Sequence, residues 1–292
     1  MQTSAAFEVI CVDDGSTDDT VEIIRQAQIT DPRIKLVQND GKGVGAARNL
    51  GASLGTTSQY IAFCDAGDVW GYTKLSELEH AFVEPEVDAV FGRVASFYID
   101  PKAATRFSNV PYRALTIPMQ LREDPVQTMS NFAIRTTAFA ASGGFDEELT
   151  DHSEVEWLIR IVGKGACVVG AEQCRTWVRA YPADAPDSLD KIAARRDTAV
   201  WAASRYGVHA SRASHAAYMR KLACRALVLG RSRTDALVLT LRGLMQSPIG
   251  FFGLPKQGLL TLFAAFVAVA TPRRANIQII RERFCCHHAE DH

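Results

Sequence analysis

No two of the seven cysteines stand in a CxxC spacing, and no apolar run reaches the roughly 20 residues that a bilayer span needs. The odd, scattered cysteines argue against a disulfide framework and for a reducing compartment. With a formal net charge of -1 the chain has no overall attraction to nucleic acid, and no aromatic stacking pattern accompanies its basic residues. No internal repeat or low-complexity tract interrupts it. The opening "MQTSAAFE" has neither the charged start nor the apolar stretch of a secretory signal, so the expected location is the cytoplasm. Cys285 and Cys286, followed by His287 and His288, are metal-ligand types, although a frayed tail is the ordinary reading of such a terminus.

What is present is ordinary in amount and uneven in placement. The 292 residues, 47% of them apolar, are enough for a real core and suggest one large domain or a domain with an appendage. Between Arg205 and Arg283 stand 13 Lys and Arg against two acids, Asp235 and Glu282, a net of +11 that leaves -12 for the rest. An acidic front and a basic back imply two tasks.

Residues 7–64 alternate strand and helix. "FEVICV" reads as a strand covered on both faces, and Asp18 or Thr17 can cap a helix over "TVEIIRQAQ". "IKLVQ" follows as a strand, "GVGAARNLGASLG" as a helix and "YIAFCD" as a third strand. Such alternation predicts parallel pairing in an α/β sheet whose ligands sit beyond the carboxyl ends of the strands. "VDDGS" and "FCDAGD" end there, so Asp13, Asp14, Asp65 and Asp68 share one rim. A helix over "TKLSELEHAFV" and strands in "DAVFGRVASFYI" and "NFAIR" come next, and residues 100–128, with four prolines, read as a long irregular loop. In "HSEVEWLIRIVGKG", Ser153 and Glu156 match a capping box, which makes Glu154 the first residue of the helix proper. From about residue 187 helical periodicity takes over.

The segment "GKGVGAARNLG" is neither a Walker loop, since Gly43 follows Lys42 where Ser or Thr is needed, nor a G-x-G-x-x-G fingerprint. It reads as a tight turn into a helix whose free N–H groups suit a phosphate. Asp, Gly and Ser at strand ends are commonly plain turn formers. Two acidic clusters on one rim suit a divalent cation bridging to substrate phosphates, with Asp65 and Asp68 on one loop. A carboxylate at a helix start, as at Glu154, stays ionised readily and suits a general base, or else it only complements the helix dipole at the surface. Trp157 belongs either to the core or to a sugar-stacking surface.

In order and spacing, "FEVICVDDGSTDDT", "GVGAARNLGA", "YIAFCDAGDVW", "GGFDEEL" and "SEVEWLIRI" resemble the inverting glycosyltransferases of family 2, over residues 2 to about 170. The resemblance implies an α/β GT-A fold: a Rossmann-like nucleotide-diphospho-sugar transferase sheet with helices on both faces, here followed by a helical extension. It implies a nucleotide-sugar donor, Mn2+ or Mg2+, a saccharide or lipid-linked acceptor and transfer by single displacement. By motif, Asp14 corresponds to the acid that meets the nucleobase and Asp13 to its neighbour. Asp65 and Asp68 fall in the segment that holds ribose, diphosphate and metal, and Glu154 takes the place of the general base, six residues before Arg160. Lys42 or Arg48 is expected near the phosphates.

The sequence departs from the family in several places. The acidic motif is Asp65-Ala66-Gly67-Asp68, with Gly67 where the metal's Asp usually stands, so metal binding rests on Asp68 or is weaker. The base motif reads Ser153-Glu154 instead of Glu-Asp, and the turn "LGTTSQ" is one residue longer than in the family and lacks the family's usual Gly. The family's first strand and helix are absent ahead of Gln2-Thr3. Its missing strand would lie between residues 7–12 and 60–64, and each buried unpaired backbone group costs about 1–3 kcal/mol. The two flanking strands therefore pair directly, or the natural protein starts upstream, or the chain is an inactive remnant; the expectation is an upstream start.

The expected domains are 1–185, the transferase, and 186–292, a basic helical extension. Within the latter, "GLLTLFAAFVAVA" at 258–270, flanked by Lys256 and Arg273-Arg274, suits a segment lying in a membrane interface. The stretch 243–283 is the expected site of peripheral contact with the inner face of the cell membrane. The expected activity is transfer of a sugar to a surface polysaccharide or glycolipid acceptor; the rival is a non-catalytic relative kept for assembly.

Overall fold

The computed structural model describes residues 2–3, 6–55, 57–104, 107–111, 113–179, 189–229 and 233–270. The Cys285–His288 cluster and the basic residues from 271 onward therefore lie outside the described residues. The chain divides into two compact units, one of residues 1–94, 110–115 and 126–178, the other of residues 95–109, 116–125 and 179–292.

The first unit opens with β1 (Val9–Asp13), α1 (Thr20–Thr30), β2 (Ile34–Gln38), α2 (Gly43–Leu54) and β3 (Tyr60–Ala62). The alternation expected from sequence is present and β1 pairs with β2 in parallel, but β3, expected to join them, pairs antiparallel with β6 instead. The cap of α1 falls on Asp19 and not on Thr17 or Asp18, because Asp18 Oδ1 already accepts the Thr20 N–H at 3.1 Å in a local turn. After β4 (Val69–Trp70) and α3 (Lys74–Ala81) come β5 (Ala89–Phe97), α4 (Ile117–Glu123), β6 (Phe132–Arg135), α5 (Thr136–Ser142), α6 (Ser153–Gly163) and β7 (Val168–Arg179). A second sheet has the order β3-β6-β5-β7-β4. Its pairings β3–β6, β5–β6 and β4–β7 are antiparallel.

The core lies in this second sheet. Phe91, Phe132, Ile134, Trp157, Leu158 and Ile159 are fully or almost fully buried, and Trp157 donates its Nε1–H to Ser142 Oγ at 2.9 Å, so it is a core residue. Phe63, Phe139 and Phe145 surround it with ring centroids 4.5–6.3 Å away. The β5–β7 approach requires Gly92, where an added Cβ would lie 1.9 Å from the Cys174 carbonyl oxygen. Strand β7 has no clear apolar alternation in sequence: its buried positions are Val168, Cys174 and Thr176, and the last two are too weakly apolar to extend a period-2 pattern from Val168.

The expectation that "FEVICV" is covered on both faces is overturned. Val9 is 39% exposed, Ile10 to Val12 are half-buried and Asp13 alone in β1 is buried, while α1 buries none of its residues. The cause is pairing. β1 has β2 as its one strand neighbour and β3 has β6, so the two do not close on each other, and each keeps an edge without a strand partner among the described residues.

The second unit contains α4 and then α7 (Leu189–Ser204), α8 (Arg212–Leu229), α9 (Arg233–Gln246), α10 (Pro248–Phe251) and α11 (Pro255–Ala270). The 100–128 stretch is thus not simply a loop. Thr116 caps α4, its hydroxyl accepting from Met119 N at 3.4 Å with Pro118 in the first turn. Asp124, in the left-handed conformation at the end of α4, pairs with Arg195 at 3.1 Å and Lys221 at 3.5 Å, and Ser214 Oγ donates to Leu121 O at 2.9 Å. These ties join α4 to α7 and α8. On α11, Gly258, Thr261, Ala264, Ala265 and Ala268 face inward, whereas Leu259, Phe263, Phe266 and Val269 are exposed. No helix among the described residues is long and apolar enough to cross a membrane.

Candidate active site

Three segments meet around the first two turns of α2. Gly43, at φ +87°, makes the turn into the helix, a backbone setting that favours glycine. Its N–H donates to Asp14 Oδ2 at 3.1 Å, and Asn39 Nδ2 donates to Asp14 Oδ1 at 2.6 Å. Asp14 therefore staples the end of β1 to the head of α2. Asp13 points the other way and is buried; Ser16 N donates to both its oxygens at 3.3 Å. Hydrogen bonding from Ser16, helped by Gln38 and Gly15, holds the Asp13 carboxyl below its usual range in spite of burial.

Lys42 stands at the N-cap with its side chain exposed. Arg48, on the next turn, donates from Nη2 to Asp65 Oδ1 at 2.9 Å. Its guanidinium lies 5.6 Å from the Phe145 ring, and its Nη1 is buried without a hydrogen-bond partner. Asp65 is further held by Thr128 Oγ1, which donates to Oδ2 at 3.3 Å, and by Ser130 Oγ, which accepts the Asp65 N–H at 2.8 Å. A tight turn follows, in which Asp68 N donates to Asp65 O at 2.9 Å, so Asp68 is half-buried on the same loop.

Glu154 arrives from α6. The capping box is not formed: the helix starts at Ser153, with His152 at φ 61° as the N-cap. Glu156 is drawn to Arg160, whose Nε donates at 2.9 and 3.1 Å, and Ser153 Oγ is buried beside Gly45 without a partner. Glu154 is consequently the second residue of the helix, still in the first turn where the dipole favours an anion. Its Oε1 lies 3.8 Å from His152 Nδ1, and its side chain is 17% exposed. A Cβ at Gly45 would lie 3.1 Å from Ser153 Oγ, so the α6 start touches α2 one turn before Arg48. One turn is about 5.4 Å; Asp65 and the residue preceding Glu154 thus contact adjacent turns of one helix.

Asn49, in the "ARN" of α2, bridges α2 to the loop after α5. Its Nδ2 donates to Phe145 O at 2.9 Å and Glu147 Oε1 at 2.8 Å, while its Oδ1 accepts Phe145 N at 2.8 Å. "ARN" and "GGFDEE" are therefore locked together. Gly144, at φ +71°, approaches so closely that a Cβ there would lie 2.5 Å from Asn49 Oδ1. An Asn following an Arg, with a Gly-Gly turn far along the chain, is a faint signal in a single sequence.

For a divalent cation, the chain offers Asp65 and Asp68. No group of three or more His, Cys, Asp or Glu among the described residues is arranged to hold a metal. Two carboxylates on one loop fit a Mg2+- or Mn2+-type site only where substrate phosphate supplies further oxygens.

Residues 1–143 match the profile of glycosyl transferase family 2. The chain is similar to the Escherichia coli UDP-Glc:alpha-D-GlcNAc-diphosphoundecaprenol beta-1,3-glucosyltransferase WfaP, 41% identical over 34% of this chain and 38% of that one. It is also similar to the glycosyltransferase GlyG of Streptococcus pneumoniae, 32% identical over 33% of this chain and 32% of that one. The match thus spans less than two-fifths of these relatives' lengths. Among solved structures, Staphylococcus aureus TarS 1–349 aligns with a TM-score of 0.50 at 15% identity, covering 95% of this chain and 82% of that one. The architecture is the α/β GT-A fold. The family 2 profile thus covers 143 of the 292 residues, just under half of the chain.

Proposed function

We propose that the chain transfers a sugar from a nucleotide-sugar to an acceptor hydroxyl with inversion, in the synthesis of a polysaccharide or glycolipid. The observation that carries the reading is the Arg48–Asp65 pair: a cation with one buried, unpartnered N–H group, at the head of a glycine-started helix, suits a diphosphate. Lys42, exposed at the same helix start, adds charge for the phosphates. Asp14 orients the nucleobase with Asp13 shaping its turn. Asp65 and Asp68 hold ribose and a metal-bound diphosphate, the cation supplying charge neutralisation to the leaving group.

Glu154 is the base. The acceptor oxygen forms a bond to the anomeric carbon as the bond from that carbon to the diphosphate oxygen breaks; the acceptor's proton passes to Glu154, and the electron pair leaves with the nucleoside diphosphate. WfaP, by its name, acts on a diphosphoundecaprenol acceptor. A lipid-linked acceptor suits the exposed α11 stripe of Leu259, Phe263 and Phe266, which supports peripheral contact with the cytoplasmic face of the membrane through 243–283.

Isothermal calorimetry with UDP and GDP, each with and without Mn2+, tests the donor site, and heat in none of the four conditions refutes it. In donor-turnover assays, Glu154→Gln is expected to lower kcat by about 10²–10⁴-fold while nucleotide affinity stays within twofold of the parent. Equal loss of both contradicts the base role. The second reading, a non-catalytic assembly protein, is favoured by Gly67 in the acidic motif and by the commitment of both Asp13 and Asp14 to bonds within the protein. It predicts no calorimetric signal.

A further inference from the structure

Behind the acidic loop lies a cation that the reaction above does not use. Lys74, the first residue of α3, is fully buried. Its Nζ donates to Thr176 Oγ1 at 2.7 Å and lies 5.2 Å from the centre of the Trp70 ring, with no carboxylate within ion-pair distance among the described residues. An ammonium buried on one hydrogen bond is costly, and an apolar side chain of similar volume would fill the space at less cost. Packing alone therefore does not account for a lysine here.

What the ammonium does is set a direction. It has only protons to give, so Thr176 Oγ1 must accept from it and send its own proton onward, to Ser130 O at 3.2 Å. Ser130 O also receives Trp70 Nε1–H at 2.7 Å, two residues beyond Asp68. Ser130 Oγ accepts the Asp65 N–H at 2.8 Å, and Ser130 N donates at 3.1 Å to Thr128 Oγ1, which in turn donates to Asp65 Oδ2 at 3.3 Å. Ser130 is thus fastened to both ends of the 65–70 loop, and Lys74 fixes the polarity of the chain that holds it. A neutral amine would be free to accept from Thr176 and release Ser130 O.

We propose that Lys74 is a positioning residue for the acidic loop: acting through Thr176 and Ser130, its ammonium holds Asp65 and Asp68 in the arrangement that receives a nucleoside diphosphate. The inference rests on the donor-site reading above. Lys74 is faced by Cys174 on β7, Cys64 after β3 and Glu77 on its own helix. Burial pushes the Cys174 thiol up to about 12, and desolvation together with the Asp68 and Asp65 charges raises that of Cys64 likewise, so both stay protonated. Burial likewise brings Lys74 down to about 8, so the amine is the group in this cluster that changes charge near that pH.

The test is calorimetry of the full chain with UDP and GDP in the presence of Mn2+, from pH 7 to 9, on the parent and on Lys74→Met, beside the thermal midpoint of each. The expected result is an affinity at pH 7 at least about tenfold weaker in Lys74→Met, with a melting temperature equal to or above the parent's, as loss of a buried charge allows. The parent is further expected to lose affinity as pH rises through about 8, with Lys74→Met showing no such fall. Should Lys74→Met not fold, Thr176→Val is expected to give the same loss and Thr176→Ser to restore binding. Parent-like affinity in Lys74→Met, or in Thr176→Val, overturns the inference while leaving the donor site standing. Parent protein that binds neither nucleotide removes the donor site and this inference with it.

Discussion

Asn49 shows how a single side chain ties motifs that are far apart in sequence. Three hydrogen bonds to Phe145 and Glu147 close the loop after α5 onto α2, which also carries Arg48 toward Asp65. In Asn49→Ala the Phe145 N–H and C=O lose their partners, and each such buried group costs about 1–3 kcal/mol. The expected outcome is a urea midpoint lowered accordingly, with a weaker nucleotide response because Arg48 is no longer braced. Glu154 shows the limit of local pattern. "SEVE" announces a helix start correctly, yet the cap is His152, because Arg160 claims Glu156 and Ser153 packs on Gly45. An electrostatic partner one turn away outweighs the local capping rule.

At the scale of the element, the β5–β7 contact and the α4 end each depend on one residue. With a Cβ placed 1.9 Å from the Cys174 carbonyl oxygen, Gly92→Ala forces the strands apart. The expected cost exceeds about 4 kcal/mol and is read as loss of soluble protein or of a cooperative urea transition. Asp124 ends α4 and meets Arg195 and Lys221. Burial works against its charge, but the two cations hold its carboxyl down at about 2, from an ordinary 3.8. That stabilisation is present above about pH 4 and is lost as pH falls toward 2, because the unfolded chain takes up the proton first. Asp124→Asn keeps the left-handed backbone, which Asn tolerates. It is expected to lower stability at pH 7 by about 2 kcal/mol and to flatten the difference between pH 4 and pH 2 in denaturant titrations.

Over the whole molecule, charge is segregated by sequence: net +11 between Arg205 and Arg283, against -12 elsewhere. If the exposed α11 stripe rests on a membrane, binding needs both the apolar side chains and anionic lipid. The full chain is expected to float with vesicles containing phosphatidylserine or phosphatidylglycerol, and much less with phosphatidylcholine alone. Raising salt from 0.05 to about 0.5 M should weaken the attachment as screening shortens, and Phe263→Asp should reduce it at low salt. Vesicles indifferent to lipid charge and to Phe263→Asp refute the contact.

By itself the sequence determined the α/β alternation, the placing of Asp13-Asp14 and Asp65-Asp68 at or just beyond the ends of β1 and β3, and the helical character of the back half. Those features are written in short periods, apolar runs against turn residues, that need no distant partner to read. Only the tertiary structure decided the antiparallel β3–β6, β5–β6 and β4–β7 pairs of the second sheet, the β7 strand with Cys174 and Thr176 turned inward, the assignment of 116–125 to the helical unit and the burial of Trp157 and Lys74. Each of these depends on which segments meet across long stretches of chain, and a pairing partner or a buried neighbour leaves no mark on the residues that await it.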